Sequence, residues 1–407
     1  MDRRTFIGSS AALTAGMMTG IQPLSAQRRF GPNDTLQVGV IGTGSRGGGL
    51  MNLMQQFPQF KVVAACDVLP FRLEEAMGWA DKKAKAYKDY RKLLDDKNVD
   101  AVVVASPLSM HHEMVLVVLA ADKHIYCEKT MTYQIEEALD LVGRVGKADK
   151  VFQVGHQYRY LPLYHKVAGI IREGWLGQIT NVYIQWNRNG DWRRSMPDPK
   201  YERVINWRMY REFSGGLTAE LHSHQIDFVN WVFNAHPKRV VGFGGIDYWQ
   251  DGRETFDNVN TILEYPDGMK VNCIALTANA HEGYLFKFKG SKGTIELGVK
   301  EAKVYFEQPN KKEMSNVDGV SSASAMTAAK GEGLAIEGDH TEETKDWEGT
   351  HFALSEFYEC VANGGDPVSN VHTGATTAIS VRMAIDALRQ SRLQEWKPAY
   401  AAALGKV

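Results

Sequence analysis

The stretch Leu36-Gln-Val-Gly-Val-Ile41 runs directly into Gly42-Thr43-Gly44-Ser45-Arg46-Gly47 and then into a helical pattern from Gly48 to Gln56. A short apolar strand, a glycine-rich turn and a helix in immediate succession leave the chain little freedom of fold. In a G-x-G-x-x-G turn the first glycine permits the tight bend and the second lets a pyrophosphate approach the backbone. The third lets helix pack closely on strand, and the helix N-terminus faces the negative charge. Asp67 follows the second apolar strand, Lys61-Val-Val-Ala-Ala-Cys66, twenty positions after Gly47. An acid there suits ribose hydroxyls and repels a 2'-phosphate, so the pattern favours NAD over NADP, although Arg46 and Arg72 stand close enough in sequence to weaken that preference. The competing reading, a plain glycine turn with Asp67 as a surface cap, does not explain why strand, turn, helix and acid come in this order.

Two more strands follow, Ala101-Val-Val-Val-Ala105 ending on Ser106-Pro107, and the short His124-Ile-Tyr-Cys127, with helical stretches at about 71–84 and 110–122. This alternation predicts an α/β, doubly wound parallel sheet with right-handed crossovers. After about residue 150 the strands lengthen and become rich in Tyr, Val, Ile and Thr, at 179–187, 240–246, 258–265 and 270–277, which predicts an α+β domain with an open, predominantly antiparallel sheet. Six of the nine tryptophans fall between Trp175 and Trp249, as core filling or as platforms for sugar faces. A polar stretch at 308–344 reads as an insertion or lid, and helices at about 351–363 and 373–391 close the chain.

With 407 residues the chain has room for two domains, taken as 27–150 and 151–407. Before them, Arg3-Arg4, an apolar Gly/Ala-rich run to Ile21, and Pro23 to Ala26 read as a twin-arginine export signal over 1–26, so a periplasmic or otherwise exported protein is expected. The run is short and glycine-broken for a membrane span, and an uncleaved anchor is the alternative. A net charge of -1 gives no long-range attraction to nucleic acid or anionic lipid, and neither is expected as a partner. Cys66, Cys127, Cys273 and Cys360 are widely spaced and read as free thiols rather than metal ligands.

Later motifs carry a resemblance. Ser106-Pro-Leu-Ser-Met-His111, then Cys127-Glu128-Lys129-Thr130, then Gly215-Gly-Leu-Thr-Ala-Glu220-Leu-His-Ser-His224-Gln-Ile-Asp227 are similar to the ordered motifs of the Gfo/Idh/MocA family, over nearly the whole chain from Leu36 to about Trp396. The resemblance implies a Rossmann domain with an open-sheet domain, and hydride exchange between NAD or NADP and a hydroxyl of a sugar, polyol or glycoside. It implies that Ser106 and Pro107 lie beside the nicotinamide, that His111 and Glu128 help bind the cofactor, that Lys129 is the catalytic lysine, and that Glu220 and His224 complete the site where many members have aspartate and histidine. Thr130 stands in place of the motif proline, and His222 where glycine is common. A homo-oligomer is also expected from the resemblance.

On a regular helix Glu220, His224 and Asp227 would share one stripe, leaving Asp227 to orient the imidazole. They could equally form a buried polar brace. Either Lys129 or His224 suits the base that alcohol oxidation needs. Glu220, His222 and His224 invite a metal reading, but a His-x-His pair shares a face on a strand and not on a helix, so no metal is expected. His156, Tyr158 and Arg159 follow a strand at the domain junction and read as pocket lining or as junction packing. Three functions stay open: an NAD-dependent dehydrogenase, an NAD-dependent glycosidase working by transient oxidation and elimination, and a cofactor-bearing binding protein without catalysis.

Overall fold

The computed structural model describes residues 34–307 and 333–404. The export signal read over 1–26 and the part of the polar insertion at 308–332 lie outside the described residues. The first sheet has six strands in the order β3-β2-β1-β4-β5-β6, all parallel: β1 (Leu36–Ile41), β2 (Phe60–Cys66), β3 (Lys85–Tyr87), β4 (Ala101–Val104), β5 (His124–Cys127) and β6 (Phe152–Val154). The order reverses at β1, which places the glycine turn at the crevice where such sheets bind ligands. Strands β4 and β5 are buried at every position, as expected where helices cover both faces. The helix expected over 71–84 ends at Met77, and the chain then forms the edge strand β3. Gly78 ends it, and Trp79 and Ala80 continue in turns that pack against the core.

One face of this sheet is covered from far along the chain. Helix Gly349–Asn363 sets Ala353, Leu354 and Phe357 against Val38, Val40, Val103 and Tyr126. The second sheet holds nine strands in the order β14-β13-β12-β11-β7-β10-β9-β8-β15. They are β7 (Ile179–Trp186), β8 (Arg239–Gly245), β9 (Asn258–Glu264), β10 (Lys270–Leu276), β11 (Tyr284–Gly290), β12 (Gly293–Leu297), β13 (Ala302–Phe306), β14 (Leu334–Ile336) and β15 (Gln394–Glu395). Among the described residues only the β7–β10 pairing is parallel. Burial alternates along β9 and β10, so one face is packed and the other is open. The protein is therefore α/β with a Rossmann sheet, joined to an α+β unit with a mixed, mostly antiparallel sheet.

Helix Val371–Gln390 is buried over most of its length and packs on helix Ile135–Val145, on helix Ser223–Phe233 and on β8. It ties the two sheets together. All four cysteines are buried free thiols. The six tryptophans between Trp175 and Trp249 are each half-buried, and five of them, all but Trp249, pack against the hydrophobic core. Among the described residues no helix is long and apolar enough to cross a membrane.

Candidate active site

The glycine turn is built as its spacing requires. Gly42 adopts φ +85, and a Cβ there would lie 2.6 Å from the Ala105 carbonyl oxygen. A Cβ on Gly47 would lie 1.8 Å from the Gly42 carbonyl oxygen, so the helix reaches the strand only because no side chain intervenes. At Gly44 an added Cβ would meet only Arg72 Nη1, at 3.6 Å, leaving space for another group to approach the backbone. Helix Ser45–Met54 starts at Gly44 with no side-chain cap and no acid in its first turn. Its N-terminal donors remain available, which fits a pyrophosphate.

Gly42, Gly44, Ser45, Asp67, Ser106 and Pro107 line a single cleft. Thr43 is buried beneath it. The Asp67 carboxylate accepts from Thr43 N at 2.8 Å, from Thr43 Oγ1 at 3.2 Å and from Leu69 N at 2.8 Å. Asp67 thus shapes the turn as well as facing the cleft. Arg46 does not stand where a 2'-phosphate would lie: its Nε donates to Glu128 Oε1 at 2.7 Å and its Nη1 to Thr350 Oγ1 at 3.3 Å. The reason is local, since a buried carboxylate on the neighbouring strand end is the stronger attractor. His111 likewise lies under the cleft, 1% exposed, with Nδ1 at 2.9 Å from the Thr130 carbonyl and Nε2 at 3.0 Å from the Ser106 carbonyl. It braces the Ser106-Pro107 turn against the Lys129-Thr130 turn instead of touching a ligand.

At that second turn the two halves meet. Residues Thr218–His222 form a π-helical turn, a widened helix often found at functional sites. Lys129 Nζ donates to the Glu220 carbonyl at 3.0 Å and lies 3.8 Å from Glu220 Oε2. The Thr130 hydroxyl donates to the Ala219 carbonyl at 3.0 Å. The Glu220 carboxylate also accepts from Arg208 Nε at 2.9 Å and from Ser214 Oγ at 3.3 Å. Burial opposes its charge, but Lys129 and Arg208 outweigh burial and hold Glu220 below the usual carboxylate range. Burial lowers the Lys129 ammonium, against the pull of Glu220 and Glu128. His224 is held well below the ordinary imidazole value by burial and then by the charges of Lys129, His156, Arg46 and Arg188. Its Nδ1 has no hydrogen-bond partner among the described residues. Tyr158, half-buried, packs against it at 4.9 Å between ring centroids.

The wide turn takes Glu220 off the expected stripe, whereas His224 and Asp227 stay on one regular helix, Ser223–Phe233. Asp227 does not orient His224. It is 1% exposed and receives Arg159 through Nε at 2.5 Å and Nη2 at 2.9 Å and Thr377 Oγ1 at 3.0 Å, while His156 Nδ1 lies 3.3 Å away without hydrogen-bond geometry. Arg159, at 2% exposed, is paired there too, so neither residue lines the pocket as the sequence led us to expect. A buried guanidinium needs a carboxylate, and this one has it. His156 is also buried, behind His224 at 6.0 Å between rings. His222 is buried apart from this group, with neither ring nitrogen hydrogen-bonded among the described residues.

Sequence reasoning missed the irregular segment 187–213. Arg194, Val204, Ile205, Trp207 and Arg208 from it wall the cleft opposite the glycine turn. It is stitched in place by Arg193 on Asp251 and Glu202, and by Asn206 on the backbone of Arg194. Arg208 lies twelve residues before Glu220 with no regular element between to set a spacing rule.

Two family models match the chain, one described as the oxidoreductase family with NAD-binding Rossmann fold over residues 36–156, the other as the GFO/IDH/MocA C-terminal domain over residues 164–296. The chain belongs to the Gfo/Idh/MocA oxidoreductase family. Relatives within it include an inositol 2-dehydrogenase of Salmonella paratyphi B, 27% identical over 51% of this chain and 57% of that protein. Another is a 2,7-anhydro-N-acetylneuraminate hydratase of Escherichia coli, 28% identical over 65% of this chain and 68% of that protein. The solved structure of a levoglucosan dehydrogenase in complex with NADH and levoglucosan is similar in fold, with a TM-score of 0.71 at 19% identity, over 89% of this chain and 99% of that one. As a Gfo/Idh/MocA protein the chain has a nicotinamide-binding Rossmann domain, and Arg208 in the wall of its cleft donates to the same Glu220 that Lys129 meets.

Proposed function

We propose that this protein is an NAD-dependent oxidoreductase acting on a secondary hydroxyl of a sugar, polyol or glycoside. The observation that carries the reading is the meeting of Lys129 with Glu220, which Arg208 ties to the wall of a cleft fitted for a dinucleotide, and with His224, whose Nδ1 has no partner among the described residues. Gly42, Gly44, Ser45, Asp67, Ser106 and Pro107 would hold the cofactor, which supplies hydride acceptance at the nicotinamide when bound. The chain's own part is the proton. Lys129, its ammonium weakened by burial and steadied by Glu220, polarises the substrate hydroxyl; neutral His224 accepts the proton as the oxygen gains charge. Tyr158 and Trp186 flank His224 and offer ring faces to a sugar. Asp67, facing the ribose end, favours NAD over NADP.

A second reading is a redox-neutral reaction, in which oxidation is transient and the hydride returns. The Escherichia coli relative named a hydratase favours it, as does the proposed export, since an exported enzyme has no large NAD pool to exchange with. In that case cofactor loaded before export would stay bound. Mass spectrometry of purified protein tests retention directly. Incubation with glycosides while following 340 nm absorbance, keto-sugar and released aglycone separates the two: keto-sugar without aglycone supports the dehydrogenase, aglycone without net NADH the redox-neutral route. Lys129→Met and His224→Ala should each slow turnover about 100-fold or more with NAD affinity nearly kept. Near-normal rates in both would remove this site from the reaction.

A further inference from the structure

The charges around the site do not balance. Glu128 is taken by Arg46 at 2.7 Å, and Glu220 is shared by Arg208 at 2.9 Å and Lys129 at 3.8 Å. No carboxylate among the described residues pairs with Arg188, just past the end of β7, or with Arg194 in the cleft wall. Arg188 is placed by packing: its guanidinium carbon lies 5.4 Å from the centroid of the Trp186 ring and 5.7 Å from that of Trp192. Two indoles hold the cation while leaving its in-plane donors without a partner. The Trp186 ring is 5.7 Å from His224 and 4.7 Å from Tyr284, so the arginine stands over the aromatic side of the proposed substrate site. It is not part of the cleft wall facing the glycine turn, where the cofactor's phosphates would be neutralised.

Resting on the reading of this site as a sugar oxidoreductase, we propose that the substrate is an anionic carbohydrate whose oxyanion, a carboxylate or a sulfate ester, is bound by Arg188 while its ring packs on Trp186 and Tyr158. A guanidinium presents paired donors that match either group in fork geometry, which an ammonium or a hydroxyl does not. The anion has a second effect at the site. His224 is surrounded by burial and by four positive or positively ionising neighbours that disfavour its protonation. A bound negative charge offsets that field at the stage when His224 must take a proton. A neutral sugar gives no such compensation.

The test uses purified full chain loaded with NAD and a panel of matched ligands: methyl hexopyranosides, the corresponding hexuronates and the 6-sulfates. Calorimetric titration should show at least one charged member binding about 10-fold or more tightly than its neutral counterpart, weakening as salt is raised. The uronate and sulfate arms distinguish the two oxyanions. Arg188→Gln should collapse the charged-to-neutral affinity ratio toward one, and Arg188→Lys should restore it only in part. Equal affinity for charged and neutral members, no binding by any charged member, or a ratio unchanged in Arg188→Gln overturns the proposal. Turnover of neutral sugars at full rate would do so while leaving the oxidoreductase reading intact. That reading fails separately, through loss of NAD binding or of any effect of Lys129→Met.

Discussion

Thr130 shows how a single departure from a family motif acquires a physical role. With a proline at this position the turn would have no hydroxyl; here the Thr130 side chain, 1% exposed, donates to the Ala219 carbonyl of the π-helical turn while Lys129 donates to the next carbonyl, that of Glu220. The Ala219 carbonyl also receives Ser223 Oγ at 2.6 Å, so it is not orphaned by loss of one donor. Thr130→Val should therefore cost about 1 kcal/mol of stability, by thermal denaturation, and lower kcat more than it raises KM because Lys129 loses its fixed neighbour. Thr130→Ser should recover both. A Thr130→Val protein with unchanged kcat would show that Lys129 is positioned without it. Arg159 and Asp227 illustrate the opposite case: chemically suggestive residues whose burial gives them to one another and not to a ligand.

At the scale of elements, the glycine turn and the π-helical turn behave differently because one is set by neighbours in sequence and the other is not. The three glycines have distinct tasks that substitution separates. Gly47→Val drives a side chain into the Gly42 carbonyl and should prevent stable folding, seen as loss of a cooperative melting transition. Gly44→Val meets mostly open space in the unliganded protein, so its melting temperature without ligand should stay close to wild type while NAD no longer raises it. Retained NAD stabilisation in Gly44→Val would place the pyrophosphate elsewhere. The π-helical turn, by contrast, rests on contacts with residues 129 and 130, just past the end of β5 in the other sheet. Nothing in Thr218–His222 as a string distinguishes it from an ordinary helix, which is why the regular stripe was the natural expectation.

For the molecule as a whole, burial of imidazoles across both halves sets an acid limit on stability. Burial brings His124 down to about 4, with Lys150 adding to it. His156 falls to about 4 through burial, with Asp227 opposing, and His222 to about 4 through burial. In the unfolded chain each binds a proton below about pH 6.5. Between about 6.5 and 4 the unfolded state thus holds more protons, so this part of the stability is complete above pH 6.5 and is lost as pH falls toward 4. The melting temperature should drop steeply across that interval, and His222→Asn should flatten the slope, measured by thermal unfolding from pH 4 to 7. A flat profile would contradict the burial of these rings. The long helix Val371–Gln390, packed against both sheets, makes this loss global rather than confined to one half.

What was legible from sequence had local causes. Strand, glycine turn and helix in succession specify the Rossmann half; longer strands rich in Tyr, Val, Ile and Thr specify the mostly antiparallel second sheet; and the ordered motifs ending in Lys129 and His224 specify the family. The tertiary structure decided what depends on distant partners. It brought helix Gly349–Asn363 back onto the first sheet, turned Arg46 toward Glu128, buried Asp227 under Arg159, and walled the cleft with 187–213. Each of these follows from a rule with no sequence period: a buried charge must find its counter-charge, and an apolar sheet face must be covered, by whatever segment of the chain reaches it first in space.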